Sequence, residues 1–283
     1  MKKEQQHYVW KKYLKSWANE SNQVYCKRND IVFITSVDKI AKEKYFYELT
    51  SISKDDYFFV KNLFTSNKYI DKNPLFDVVF GIYEKSFDEN SVINEKEVDE
   101  ELMTFVENLG STILDKFLSE STYMVKEENL PDFYVYIAFQ LMRTPRFKNA
   151  FRIDEHPKLK EQWNIIRNIA AFNFAEHIFF ENYQIIKLYN RNDDFITSDQ
   201  PVINIRADYE KDKQVIDTEL FYPISPKLGL LISNKISNKN SIELSSEQVR
   251  ALNYKMMKAS HKILLGNKIL KDMVFDDEQI CIN

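Results

Sequence analysis

Glycine is scarce in this chain, which has four glycines in 283 residues, each standing alone. They are Gly81, Gly110, Gly229 and Gly266. Phosphate-binding loops of the P-loop and Rossmann types need clustered glycines, because only then can backbone N–H groups come close to a pyrophosphate. The sequence therefore excludes ordinary P-loop nucleotide hydrolases and dinucleotide-binding folds.

Cysteine and long apolar runs are equally rare. The two cysteines, Cys26 and Cys281, lack any metal-ligand spacing, and isolated cysteines in a chain of this length are typical of a reducing compartment. No apolar run approaches the roughly 18 residues of a membrane span, and the start of the chain lacks the apolar segment of a signal peptide. We therefore expect a cytoplasmic protein without a membrane partner.

A basic excess is also absent, since the formal net charge is −4 and the pI is about 5.7, whereas nucleic-acid-binding proteins are usually basic. The charge is unevenly spread, however. Residues 84–128 carry 13 acidic and 4 basic side chains, which is typical of a solvated helical face. Residues 1–28 carry 7 basic and 2 acidic side chains. This basic start could attract a polyanion, so nucleic acid stays open as a partner.

Hydrophobic residues make up 44% of the chain and aromatic residues 14%, which is enough to bury a sizeable core. Apolar spacing predicts a short helix over residues 8–17. Strand-like runs at 23–28 and 31–35 flank Asn29-Asp30, which predicts a β-hairpin. Helical periodicity dominates residues 52–190, with long helices predicted over 97–118, 131–143 and 161–189.

Strand patterns return towards the end of the chain, at residues 194–197, 202–205, 219–224, 228–233 and 262–265. Ser245 and Gln248 form a capping-box pattern that opens a helix running to about Ser260. This order predicts a single α+β domain over residues 1–283. Its mixed or antiparallel sheet is expected to combine N- and C-terminal segments around a large helical middle.

The segment 195–202, Phe-Ile-Thr-Ser-Asp-Gln-Pro-Val, places Ser198 and Asp199 on a polar turn between apolar residues. Polar side chains on such a turn are well placed to meet a ligand, although they could equally only hydrogen-bond their own turn. Asp193 and Asp194 together with Asp199 could chelate Mg²⁺, the candidate cofactor, because carboxylates suit that ion. The alternative is a polar loop leading into a strand, and the cofactor stays unknown.

Five short motifs follow one another along the chain: His7-Tyr8-Val9 with Tyr13-Leu14 and Trp17, Arg143-Thr144-Pro145-Arg146-Phe147, Thr197-Ser198-Asp199-Gln200-Pro201-Val202, Phe221–Pro226 with Leu228-Gly229-Leu230, and Asn253. Together they resemble the motifs of the DUF4238 family of unknown function. The resemblance runs from His7 to about Gly266; Trp10 stands where the family usually has Pro, and Gln200 replaces the usual Asn. Some members of the family are similar to proteins of prophage and satellite loci dedicated to anti-phage defence, which implies a defence effector.

The motif residues form a candidate catalytic set of His7, Arg143, Ser198 and Asp199. A histidine can act as general acid or base near neutral pH, and an arginine offers a planar donor fork to a phosphate. The alternatives are architectural, since Arg143 could complement the negative end of its helix or pair with Asp199. The candidate substrate-binding residues are Lys11, Arg146, Asn253 and Lys258.

Three hypotheses for the function follow from these residues. The first is a nuclease-like effector, in which His7, Arg143 and Asp199 converge in one basic cleft. The second is a non-catalytic sensor or binding module for a nucleotide or a phage-derived trigger, and the third is a structural interaction protein whose motifs are architectural. The sequence leaves a homo-oligomer open in each case.

Overall fold

The computed structural model describes residues 5–44, 54–65, 80–81, 83–84, 98–150, 155, 160, 162–209, 217–235, 238–267 and 270. These residues form an α+β fold. The strands are β1 (Gln5–His7), β2 (Gln23–Arg28), β3 (Ile31–Ser36), β4 (Lys42–Lys44), β5 (Gln184–Tyr189), β6 (Thr197–Ser198), β7 (Ile203–Asn204), β8 (Glu219–Ser225), β9 (Leu228–Ser233), β10 (Ser241–Glu243) and β11 (Leu264–Gly266). The helices are α1 (Lys11–Leu14), α2 (Lys54–Thr65), α3 (Val98–Ser119), α4 (Leu130–Met142), α5 (Pro145–Ala150), α6 (Trp163–Phe180) and α7 (Ser246–Ala259).

The first large sheet joins the two ends of the described chain in the antiparallel order β3-β2-β11-β6. Its hairpin turns at Asn29 and Asp30, whose φ angles of 48° and 62° are those of a tight turn that Asn and Asp tolerate. Strand β11 pairs with β2 on one side and with β6 on the other. The predicted sharing of a sheet by N- and C-terminal segments is therefore confirmed.

A second, mixed sheet is built from residues 184–243 in the order β10-β5-β9-β8-β7. Strands β10 and β5 run parallel, and the other neighbours run antiparallel. Strands β1 and β4 form a separate two-stranded ladder, in which His7 is the register partner of Lys42. The sequence predicted one sheet, whereas the described strands divide into these three groups.

Three long helices, α3, α4 and α6, form the helical layer of the described chain. Pro131 lies in the first turn of α4, where its missing N–H is harmless, and the helix ends before Arg143 as predicted. The prediction of one helix over residues 161–189 is wrong in its last part. Helix α6 ends at Phe180, Asn182 takes a left-handed φ of 54°, and residues 184–189 pair with β9 as a strand.

None of the helices in the described ranges combines the length and the apolar character needed to traverse a bilayer.

Buried tyrosines connect the N-terminal helix to the strands that carry the candidate site. The Tyr13 hydroxyl lies 2.6 Å from the Thr197 hydroxyl and 2.7 Å from the carbonyl of Pro223. Its ring stacks on Tyr222 with 5.1 Å between centroids, and the Tyr222 hydroxyl lies 3.0 Å from that of Tyr136. The N-terminal motif is thus fixed against β6 and β8 by hydrogen bonds that satisfy buried hydroxyl groups.

Candidate functional site

The turn after β6 docks on the C-terminal end of helix α4. The Thr144 hydroxyl donates to the side-chain carbonyl of Gln200, and the Gln200 amide donates to the carbonyls of Leu141 at 2.9 Å and Val202 at 2.8 Å. The Ser198 hydroxyl donates to the Gln200 carbonyl at 3.0 Å and accepts the Gln200 N–H at the same distance. The Arg-Thr-Pro and Thr-Ser-Asp-Gln segments therefore meet in one buried junction, and Ser198 hydrogen-bonds its own turn.

The Asp199 carboxylate is fully buried and accepts three consecutive backbone N–H groups. His261 N donates to one oxygen at 2.8 Å, and Lys262 N and Ile263 N donate to the other at 2.7 and 3.2 Å. Burial raises the pKa of Asp199, and the three amides oppose that rise. Both carboxylate oxygens are therefore engaged in holding the chain at residues 261–263.

The proposed chelate of Asp193, Asp194 and Asp199 does not form. The Asp194 carboxylate lies 2.7 Å from the ammonium of Lys227 and is buried, while the Asp199 oxygens face the amides just described. Within the described ranges, no group of three His, Cys, Asp or Glu side chains is placed to hold a metal ion. The physical reason is that each buried carboxylate already has a partner of its own.

Arg143 lies inside the protein, with 1% of its surface exposed, where α4 ends. Its Nη2 donates to the backbone carbonyl of His7, and its guanidinium carbon lies 4.1 Å from the centroid of the Trp10 ring. Trp10 in turn stacks on Tyr136 at 4.8 Å. Arg143 thus fixes the end of β1 from within the core by a charged hydrogen bond and a cation–π contact.

His7 is half-buried and has three cationic side chains around it, which we call the His7 group: His7, Lys11, Lys42 and Arg143. Burial lowers the pKa of His7, and the charges of Lys42, Lys11 and Arg143 lower it further, while Asp38 opposes them. Lys11 also forms an ion pair with Asp38. The imidazole is therefore neutral near pH 7 in a positively charged setting.

A second group, the His261 group, consists of Tyr8, Glu43, Arg146, Asp199 and His261. Burial lowers the pKa of the half-buried His261, Asp199 and Glu43 raise it, and Lys262 and Arg146 lower it. Burial also raises the pKa of Tyr8, with Asp199 adding to the rise. Arg146 donates to the Tyr209 carbonyl at 3.2 Å and lies over that ring at 5.6 Å. Three of the five family motifs, through Tyr8, Arg146 and Asp199, and the residues after α7 thus contribute to one electrostatic cluster.

The two groups adjoin at the end of the β1–β4 ladder. His7 and Lys42 are its terminal pair, and Tyr8 N donates to Ala41 O at 3.0 Å just beyond it. Neighbouring residues of a strand point to opposite faces, so Lys42 and Glu43 lie on different sides of the ladder. The structure therefore brings His7 and Arg143 together. Asp199 lies with His261 in the group that contains Glu43, on the other side of the ladder.

The two remaining candidates lie on helix α7. The Asn253 carbonyl oxygen accepts the Ile196 N–H at 2.9 Å, and its amide donates to the Asp194 carbonyl at 2.9 Å. Asn253 is buried, and it bridges the helix to the segment that leads into β6. Lys258 is half-buried, with its ammonium 5.1 Å from the Tyr254 ring centroid.

Sequence reasoning missed His261, Tyr8 and Glu43 as members of the site. The available signal was weak: histidine is rare, with four in the chain, and His261 follows the predicted end of a helix. The Asp199 carboxylate accepts hydrogen bonds from the backbone of residues that lie 62 to 64 positions further along the chain. No local sequence pattern encodes such a long-range contact.

The comparisons with known proteins identify a family and no relative of established activity. The family model described as "Protein of unknown function (DUF4238)" matches residues 5–164 and 151–268. Neither a curated protein nor a solved structure matches the chain.

Proposed function

The chain belongs to the DUF4238 family, and we propose that it is an anti-phage defence effector that cleaves nucleic-acid phosphodiesters at the His7 group. The observation that supports this proposal is the set of charges around one imidazole. His7 has its pKa lowered and stands among Lys11, Lys42 and Arg143, which come from three different parts of the fold. A neutral imidazole beside cations is the combination that phosphodiester cleavage needs.

Each member of the His7 group has a distinct part in this chemistry. The neutral His7 imidazole accepts a proton from the attacking water or hydroxyl. Lys42 and Lys11 attract the phosphate and stabilise the charge that develops on its oxygens. Arg143, which is buried, donates a hydrogen bond to the His7 backbone carbonyl and adds its positive charge from inside the protein. The substrate is expected in the cytoplasm, where phage nucleic acid is present.

The test is cleavage of labelled RNA and DNA by the purified protein, with Mg²⁺ and with a chelator, beside two matched histidine variants. His7→Asn removes the base, and we expect it to lower the rate at least about 100-fold. His177→Asn is the control, because His177 is not part of the His7 group. Its side chain is exposed in the last turn of α6, and its ring lies near Phe174 and Tyr183. Equal cleavage by both variants, or none by the folded wild type, would contradict the proposal.

A non-catalytic binding module is the second candidate function. It is favoured by the burial of Arg143 and Asp199, whose polar groups hold backbone atoms. In this case the His7 group binds an anionic ligand, such as a nucleotide or a phage-derived trigger, without turnover. Fluorescence anisotropy with labelled oligonucleotides checks it: binding that Lys42→Gln weakens, with no product formed, would favour the module over the nuclease.

A further inference from the structure

We propose that strand β3 is a dimer interface, at which the free edge of the four-stranded sheet pairs antiparallel with β3 of a second copy of this chain. This interface goes beyond the proposed function, because it names a partner and a surface and does not depend on cleavage. It also gives a place in the fold to the homo-oligomer that the sequence leaves open.

Strand β3 lies at one end of the sheet order β3-β2-β11-β6. It pairs with β2 over all six of its residues in one continuous register, and no other strand of the described residues pairs with its opposite side. Its sequence, Ile-Val-Phe-Ile-Thr-Ser, contains no charged residue and no proline. Natural edge strands are usually protected by charges, proline, bulges or short length, and β3 has none of these devices.

The hairpin turn determines which backbone groups of β3 face the free edge. A two-residue turn makes Ile31 a hydrogen-bonded partner of β2, and hydrogen-bonded pairs recur at every second residue of an antiparallel ladder. In agreement with this, Val37 N donates to the Asn22 carbonyl at 3.2 Å just beyond the strand. The N–H and C=O groups of Val32 and Ile34 therefore point away from β2, towards the position of an added strand.

The side chains along this edge are apolar and exposed. Ile31 has 66% of its surface exposed and Ile34 has 51%, while Val32 and Phe33 are half-buried. Pairing with a second β3 removes part of this apolar surface from water, which favours association. The outward backbone groups supply the main-chain hydrogen bonds on which strand addition depends.

The occupant that fits this edge is β3 itself. Antiparallel pairing about a two-fold axis places the same strand on both sides, and because β3 is uncharged, no like charges face each other along it. The other described strands with an unpaired side are shorter: β6 and β7 have two residues each, and β1, β4 and β10 have three. Only another β3 can therefore match the length of this edge among the described strands.

The register of the pair follows from the outward groups. A two-fold axis at Ile34 aligns Val32 of one copy with Ser36 of the other, so residues 32–36 of both copies overlap completely. The two four-stranded sheets then join into one continuous sheet. Because the contact is isologous, it closes after two copies and leaves no long edge for further growth.

Charge exchange at Ile34 tests the interface. In sedimentation velocity at increasing concentration, we expect the wild type to shift from the mass of one chain to that of two. Ile34→Lys and Ile34→Glu each place like charges opposite each other at the axis, so each variant alone stays a monomer, whereas their equimolar mixture forms a dimer. Phe180→Lys is the matched control, because Phe180 is 67% exposed at the end of α6, and it should dimerise as the wild type does.

The outcomes separate this interface from others. A wild type that stays monomeric at every concentration would overturn the proposal. A dimer that both Ile34 variants retain, or that only Phe180→Lys abolishes, would place the interface elsewhere and also overturn it. If the mixture of the two Ile34 variants stays monomeric, hydrogen exchange of the wild type decides.

Hydrogen exchange tests the pairing without any substitution. In concentrated wild-type protein, we expect the amides of Val32 and Ile34 to exchange more slowly than in dilute protein, because they donate to the second copy. The amides of Ile31 and Phe33 donate to β2 in both states, so their rates should not change. Equal rates at Val32 and Ile34 in the two samples would overturn the pairing through β3.

Discussion

Asp199 is the residue whose substitution has the largest expected structural consequence in the site. Asp199→Ala leaves three backbone N–H groups, one of them buried and two partly buried, without an acceptor, and we expect the free energy of unfolding to fall by roughly 3 kcal/mol. Urea denaturation measures the change. Asp193→Ala is the matched control, because Asp193 is only partly buried in the same segment, and a loss as large as that of Asp199→Ala would contradict this account.

Loss of activity in Asp199→Ala alone would therefore not identify a catalytic carboxylate. The sequence predicts a catalytic role for Asp199, because polar side chains on turns are often found at ligand-binding and catalytic sites. Its burial depends on how β6, β11 and the end of α7 pack together.

The two site histidines also predict how stability depends on pH. Burial lowers the pKa of both His7 and His261 below the unfolded value of 6.5. As the pH falls through that value, the unfolded chain binds protons that the folded protein resists, so stability decreases. We expect the loss between about pH 7 and about pH 5 to be smaller in the double variant His7→Asn/His261→Asn. Urea denaturation at both pH values measures the loss, and one equal to that of the wild type would contradict the prediction.

Among the secondary-structure elements, helix α3 packs against the Tyr136 ring of α4 at Gly110. A Cβ atom added there would lie 2.0 Å from the ring of Tyr136, which is buried. Gly110→Ala gains up to about 1 kcal/mol in helix propensity, but we expect a net destabilisation of about 2 kcal/mol, because the ring must move. Gly81→Ala, where nothing lies within 4 Å, is the control and should not destabilise. Thermal denaturation followed by circular dichroism compares the two.

Helices α3 and α6 are also joined by a buried ion pair. Arg167 lies 3.2 Å from the Asp99 carboxylate, and Asn168 and Tyr83 each hydrogen-bond to that carboxylate. Arg167→Met leaves the carboxylate without its cation, and we expect a cost of about 3–5 kcal/mol. The double variant Asp99→Asn/Arg167→Met should recover part of that loss in urea denaturation. A double variant less stable than Arg167→Met would show that the pair is not the source of the effect.

The sequence could predict elements whose signals are local. The hairpin at Asn29-Asp30, the α4 start near Pro131 and the capping box of Ser245 and Gln248 all form as expected. The apolar stripe of α6 continues to Ile185 in the sequence and therefore predicts helix over residues 184–189, where the structure has strand β5. Pairing with β9 decides its conformation, and such long-range pairing overrides local periodicity.

At the scale of the molecule, the candidate site depends on both ends of the described chain. His7 and Tyr8 come from its start, and His261 comes from the segment that enters β11 between β2 and β6. The sequence could predict that terminal segments share a sheet, because strand patterns occur at both ends. It could not predict the register that brings residues 261–263 to Asp199, since that register is set by packing across the whole fold.

Sharing one sheet between distant segments predicts that the protein unfolds as a single unit. Trp10 and Trp17 are buried in the N-terminal segment, whereas Trp163 begins helix α6. In Trp163→Phe, fluorescence reports only on the N-terminal segment, while far-UV circular dichroism reports mainly on the helices. We expect the two urea transitions to coincide, because removing β2 from β11 also releases the turn that Asp199 holds. Separate midpoints would show that the N-terminal segment unfolds independently and that the chain contains two cooperative units.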